Sequence, residues 1–399
     1  MTLFRNGILV IKRSIPVNVF LFFNLFAFHF VITSLIPRYF VPIEYRLIVQ
    51  VGLNFVISIT LLLSAFFIQR INKVISAYTG SAAMVILTTA LLVPNEVFRL
   101  ASIFGITIIY SIGLLTFFTQ FWNDTIPEER GRIAGFIGFI VIPSSFVIQY
   151  IIGPSLDFFG AVVLGVIMVL GVLTVVAIKT KKINLATKKT ESSIYPEKRT
   201  IFFYLVPWAV FLIVNVTLAK NLSVYLSQQL PASFYLFLVA VQFVGVVFGA
   251  VIIGFFVDFF GRRPALALSL TLYGISAALG GLLTNNQVFS FIYFVNGLSW
   301  GILFVLYTFV IWGDLSNKEN CAKMYSIGLI VYFSTTGIGL ITQISMPVDL
   351  SSLLTCLVVF LSIIPIVLAP ELLPPDFIER TRLKSHMNIL KKIKRENHG

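Results

Sequence analysis

The sequence predicts an all-α, polytopic membrane protein: twelve transmembrane helices in two pseudo-symmetric bundles of six. Three observations carry this. Of 399 residues, 58% are hydrophobic and only 11% charged, where a soluble domain carries roughly 25% charged residues. Apolar runs of about 20 residues, the length that crosses a ~30 Å hydrocarbon core as a helix, recur from end to end. The strands of a membrane barrel would be about half as long and would alternate in polarity, and these runs do not alternate. Finally, polar and proline positions of the first half return in the second at a shift of 190 or 191 residues (Trp122 to Trp312, Pro16 to Pro207).

Residues 1–15 are basic (Arg5, Lys12, Arg13) and precede an apolar run. The run is too long for a signal-peptide core, and Ser34 to Arg38 is no small-residue cleavage site. It is therefore expected to form helix 1, at about 16–36. The following spans are expected near 44–68, 75–94, 99–122, 133–152 and 155–178, then 201–222, 233–257, 265–283, 288–312, 324–345 and 350–369. This divides the chain into a first half at 1–178, a basic linker at 179–199, a second half at 200–372 and a basic tail at 373–399.

Charge fixes the expected orientation. Twenty-five Lys and Arg fall on segments that would be cytoplasmic with the N-terminus inside, against Arg38, Arg46 and Arg99 outside. The positive-inside rule then places both termini in the cytoplasm of a multi-pass cell-membrane protein. The net charge of +13 anchors the inner face to anionic lipid, and nucleic acid is not needed to explain it. In the tail, Leu383, Met387, Leu390 and Ile393 share a helical face among basic residues. A helix lying on the membrane surface and a solvated basic tail both fit.

Catalytic chemistry has little to stand on. Cys321 and Cys356 lack metal-ligand spacing, and His29, His386 and His398 form no cluster. There is no Ser/His/Asp set, no phosphate-cradling glycine loop and no pair of carboxylates inside the membrane. Neither a metal nor a cofactor is expected, nor is an enzyme. The chain is expected to act as a monomer on a small-molecule substrate.

The repeat is detailed. Pro16-x2-Val-Phe-Leu-x2-Asn24-x4-His29 returns as Pro207-x2-Val-Phe-Leu-x2-Asn215-x4-Lys220. Tyr110 matches Trp300, and Trp122-x-Asp124-x4-Glu129 returns as Trp312-x-Asp314-x4-Glu319. More loosely, Gln149, Pro154 and Asp157 echo Gln343, Pro347 and Asp349. Apolar segments match by chance easily; polar and proline positions at one shift do not, so an internal duplication is expected.

Between spans 8 and 9 lies Gly254-Phe-Phe-Val-Asp258-Phe-Phe-Gly261-Arg262-Arg263-Pro264. Gly254 lets another helix approach and Gly261 permits a tight turn. This Gly-x3-Asp-x2-Gly-Arg-Arg spacing resembles the signature loop of the major facilitator superfamily of secondary transporters. The six-plus-six repeat with a basic linker is similar to that superfamily's architecture. Pro127 to Arg132 resembles the Arg-Gly segment that members carry before helix 5. The first-half copy of the loop is degenerate: Ser64, Ile68, Ile71, Asn72 and Lys73 stand at the matching positions.

The resemblance implies alternating access by rocking of the halves, with a central cavity lined by helices 1, 4, 7 and 10. On those helices the repeat places His29 and Lys220 each 13 residues beyond its proline, roughly 20 Å along the helix, with Asn24 and Asn215 nearer the cytoplasm. Asn296 and Trp300 share a face of helix 10 with Tyr307, and Tyr110 lies on helix 4 with Thr107 and Phe117. The expected substrate contacts are therefore Asn24, His29, Tyr110, Asn215, Lys220, Asn296 and Trp300. Lys220 and His29 point to a negatively charged organic metabolite. Sugar-porter-like uptake and drug or metabolite efflux stay open, as does a non-transport protein such as a scramblase or receptor. Gln228-Gln229 is expected beyond the end of helix 7, too late for a sugar-porter glutamine pair. A uniporter and proton coupling through His29 both fit. For gating, the resemblance implies that Asp258, with Gly254, Gly261, Arg262 and Arg263, meets Arg130, Arg132 and the start of helix 5 when the cytoplasmic side is shut. Asp124, Glu129, Asp314 and Glu319 form the repeat-matched cytoplasmic loops.

Overall fold

In hydrocarbon a backbone must satisfy its own hydrogen bonds, and among the described residues every regular element is helical. The computed structural model describes residues 14–68, 73–180, 198–282, 286–342 and 346–373. Most of the linker, the basic tail, Gln343 and the degenerate loop's Ile71 and Asn72 lie outside them. Twelve spans follow: α1 (Asn18–Tyr39), α2 (Ile43–Phe67), α3 (Lys73–Ala90), α4 (Glu96–Asp124), α5 (Pro127–Ser155), α6 (Phe158–Thr180), α7 (Lys198–Gln229), α8 (Ala232–Phe260), α9 (Arg262–Leu282), α10 (Val288–Asp314), α11 (Cys321–Ile341) and α12 (Val348–Leu368). Ten are long and apolar enough to cross a membrane; α3 and α6 contribute the shorter apolar stretches Thr79–Ala90 and Phe158–Thr174.

Local chemistry sets the ends. Asn95 caps α4, accepting the Phe98 N–H at 3.0 Å. Pro127 opens α5 at a position where its missing N–H costs nothing. Gly261 ends α8 at φ +105°, a conformation that other residues rarely adopt. α3 stops earlier than expected, because Pro94 disfavours helical geometry at Val93. α7 runs seven residues further than expected, to Gln229, since no proline or glycine lies between Lys220 and Pro231. Lys220 therefore sits well inside a helix. Gln228 and Gln229 form the last turn of α7 and do not lie past it. Single π-turns interrupt α1 (Val31–Leu35), α5 (Val147–Ile152), α7 (Asn215–Ala219) and α10 (Leu306–Val310).

α5 against α8 and α2 against α11 are the main seams joining the first six helices to the last six. Under the 190-residue shift these two pairs are equivalent. On the first seam Gly254 meets the backbone of Gly135 and Gly131: a Cβ on Gly135 would lie 2.8 Å from the Gly254 Cα. Association inside a membrane depends on such close packing, since lipid tails are as apolar as leucine. Gly245 and Gly249 serve the same purpose between α8 and α10, against the Phe294 and Leu298 carbonyls. On the second seam the Ser334 hydroxyl donates to the Ser58 hydroxyl at 3.0 Å. Between the seams lies an aromatic plug in which Phe22 and Phe309 sit 4.9 Å apart, Phe121 and Phe309 5.2 Å, and Phe118 and Tyr325 5.1 Å. The ends of α4, α8 and α10 and the starts of α5, α9 and α11 share one side of the molecule, called here the Gly261 face.

Candidate functional site

The last six helices enclose a cavity of about 380 Å³. Its polar lining comes from isolated polar residues on otherwise apolar helices. Asn215 of α7 accepts the Tyr273 hydroxyl at 2.6 Å and the Trp300 indole N–H at 3.3 Å. Asn296 of α10 accepts from Gln242 of α8 at 2.8 Å and donates to the Ser276 hydroxyl at 3.4 Å. The Lys220 ammonium donates to the Gly339 carbonyl at 3.2 Å. A second hollow, lined by Leu222, Gly280, Gly281, Pro347 and Asp349, adjoins it at Leu222, toward the side opposite the Gly261 face.

Four of the expected substrate contacts, Asn215, Lys220, Asn296 and Trp300, thus line one cavity. Asn24, His29 and Tyr110 do not. Asn24 donates to the Phe20 carbonyl at 2.7 Å and packs against Gly171 of α6, where a Cβ would come within 2.3 Å of its oxygen. The two repeat-matched asparagines each turn into their own bundle: Asn24 packs against Gly171, and Asn215 lines the cavity. His29 stacks on Tyr110 at 5.6 Å and meets Phe333 edge-on at 5.5 Å, and its buried Nδ1 makes no hydrogen bond. Tyr307 stacks on Trp208 at 4.4 Å, outside the cavity lining. Sequence reasoning missed Gln242, Tyr273, Ser276 and Tyr293. Gln242 was findable as a lone uncharged polar residue in the apolar middle of α8.

The second constellation lies on the Gly261 face. Asp258, 1% exposed, accepts the backbone N–H of Gly131 at 3.1 Å and of Arg132 at 2.9 Å. The Arg132 side chain adds a contact at 3.2 Å, and Arg262, one turn along from Asp258, another at 3.2 Å. Gly131 and Arg132 are the fifth and sixth residues of α5, near enough to its N-terminus for a carboxylate to be favoured by the partial positive charge of that helix end. Arg130 pairs with Asp314, not with Asp258. Arg262 also bonds Asp314, at 2.7 Å, and donates to the Pro127 carbonyl. Two carboxylates and three guanidinium groups thereby tie α5 to α8, α9 and α10. Trp122 adds an indole N–H bond to the Gly313 carbonyl at 2.9 Å.

Glu371, just past α12, was not anticipated. It accepts the N–H groups of Arg262 at 2.8 Å and Arg263 at 3.1 Å and so caps α9. A Cβ at position 261 would lie 2.5 Å from its carboxylate, a second reason for glycine there. The signal available was a lone acid between an apolar span and a basic tail. The repeat-matched residues differ in role. Asp124 accepts from Asn18 at 3.2 Å, Glu129 stands in the first turn of α5, and the Glu319 N–H donates to the Asn317 side chain at 3.0 Å.

The family model for sugar (and other) transporters matches residues 203–368. No curated protein matches the chain in sequence. Among solved structures, a bacterial homologue of the iron transporter ferroportin in an outward-facing state is similar at a TM-score of 0.68 and 13% identity, over 89% of this chain and 98% of that one. A variant of the E. coli fucose:proton symporter is similar at 0.68 and 11%, over 90% and 98%. The major facilitator superfamily proton:xylose symporter bound to 6-bromo-6-deoxy-D-glucose is similar at 0.66 and 12%, over 90% and 96%. The chain has the fold of the major facilitator superfamily, and its second half carries the sequence pattern of sugar (and other) transporters.

Proposed function

We propose that this protein moves a small organic solute across the membrane by alternating access, holding it in the cavity of the second half. The observation that carries this reading is the pairing of a polar cavity with a face sealed by a buried charge network between the halves. Taking the Gly261 face as cytoplasmic, Asp258, Arg132, Asp314 and Arg130 latch the inner side while the cavity is reached from outside. The cross-half bonds form only when that face is shut, so they bias a two-state equilibrium.

Uptake of labelled D-glucose, D-xylose and D-gluconate into proteoliposomes tests transport. Saturable uptake of at least one is expected. Uptake equal to that of protein-free vesicles for all three, together with rapid flipping of a fluorescent lipid, would replace the reading with a scramblase. Two structural relatives are proton symporters by name. In a proton-coupled reading the carrier is His29, which packs between Tyr110 and Phe333 outside the cavity lining. Uptake would then depend on pH, and His29→Gln would remove that dependence. A flat wild-type profile would exclude proton coupling through His29.

A further inference from the structure

We infer that the second-half cavity takes a polyhydroxylated organic acid, a sugar acid, in preference to a neutral sugar. This rests on the transport reading only in that it names what occupies the same cavity. Two features of the lining point to it: one uncompensated cation, and hydroxyl oxygens that can only accept.

The cation is Lys220. Within a membrane span an ionised lysine is costly and faces water, a partner or a ligand. Its structural partner is a neutral carbonyl, Gly339, at 3.2 Å. Among the described residues it makes no ion pair, and no Asp or Glu lines the cavity. A carbonyl holds the ammonium in place without neutralising it, so the cavity keeps a positive charge. An anionic ligand supplies the missing charge, a neutral ligand leaves it uncompensated, and a cation is repelled.

The body of the ligand is read from the hydroxyls. Ser276, which accepts from Asn296 on one lone pair, donates to the Tyr273 carbonyl, and Thr336 donates to the Tyr332 carbonyl, each at 2.8 Å. Each hydroxyl hydrogen is therefore spent on its own helix, and the oxygen is left with acceptor capacity. Acceptors are matched by donors, which on a small anion means hydroxyl groups. Tyr293, buried and without a hydrogen bond of its own, adds a donor to the same wall. Trp300 supplies an aromatic face, and the 380 Å³ volume lies in the range of small-molecule pockets. An unsubstituted fatty or aromatic acid would satisfy Lys220 and leave the acceptors idle. A neutral sugar would do the reverse.

The test is calorimetric titration of the purified full-length protein with D-glucuronate, D-gluconate, D-glucose, D-glucosamine and inorganic phosphate. A sugar acid is expected to bind at least about tenfold more tightly than glucose, as about 1.4 kcal/mol from one charge-assisted hydrogen bond gives. Glucosamine is expected to bind most weakly. Lys220→Gln should bring sugar acid and glucose within about threefold of each other, while Lys220→Arg should keep the preference. Thermal unfolding of both variants verifies that they fold. Glucose binding as tightly as either sugar acid, phosphate binding as tightly as glucuronate, or no sugar-acid binding by folded wild type would each overturn the assignment. Proteoliposome flux separates the two claims. Binding of glucuronate without flux sinks transport and leaves the ligand class. Flux of glucose with no sugar-acid preference sinks the ligand class and leaves transport.

Discussion

Asp258→Asn should release the Gly261 face. Four bonds reach this carboxylate, but they do not count equally. The Arg262 contact joins two residues of the second half, so it persists whichever way the halves rock. The Gly131 N–H, Arg132 N–H and Arg132 guanidinium contacts, at 3.1, 2.9 and 3.2 Å, cross between halves and exist only when the face is shut. Asparagine keeps one acceptor oxygen, loses the charge, and turns an NH2 group toward donors. The net loss is about 1–3 kcal/mol, the range for charge-assisted bonds reduced by rehydration in the open state. That is about a 5- to 150-fold shift in population. The matching first-half residue is Ile68, so no second carboxylate at the equivalent place compensates. A native reporter is available. Cys321, 3% exposed, opens α11 one turn before Tyr325, whose ring stacks on Phe118 of the first half at 5.1 Å. In a Cys356→Ala background, its reaction rate with a soluble maleimide should rise by the same factor, while thermal stability changes little. An unchanged rate would refute the latch and reduce the loop to a well-charged turn.

Gly131→Ala should act in the same direction, because the new methyl would lie 2.2 Å from Val257 and 2.5 Å from the Asp258 carboxylate; its maleimide rate should rise, and combining it with Asp258→Asn should add little. Asn215→Ala removes the acceptor of both Tyr273 and Trp300, so a loss of about 1–3 kcal/mol in stability is expected from thermal or denaturant unfolding in detergent. Cysteine labelling in intact cells should find positions 190 and 390 cytoplasmic and position 285 outside; positions 190 and 285 on one side would end the twelve-span topology.

The helices were legible because a backbone in lipid has few alternatives, and length plus apolarity finds them. The contact of Asp258 with the start of α5 is what the family resemblance implies once the pseudo-twofold relation maps one half's loop onto the other's helix. The direction of a side chain around its helix was not legible. In water an apolar stripe marks the buried face, but here the lipid side is apolar too. Asn24 and Asn215 therefore stand at matched heights, yet the first packs against Gly171 and the second lines the cavity. The α7 end was misplaced for a related reason: Ser227 and Gln228 reduce apolarity without breaking a helix, and the stop is at Pro231. Glu371 lies 109 residues from Arg262, and nothing local in the sequence joins them.

Alternation of the two faces is tested most directly by distances between spin-label pairs on both faces, with the native cysteines replaced. One pair at Ile126 and Phe260 reports the Gly261 face; another at Ile43 and Tyr225 reports the opposite face, and all four positions are exposed. Asp258→Asn should lengthen the first distance and shorten the second in the same population. Both distances lengthening together, or neither moving, would contradict alternating access governed by this latch.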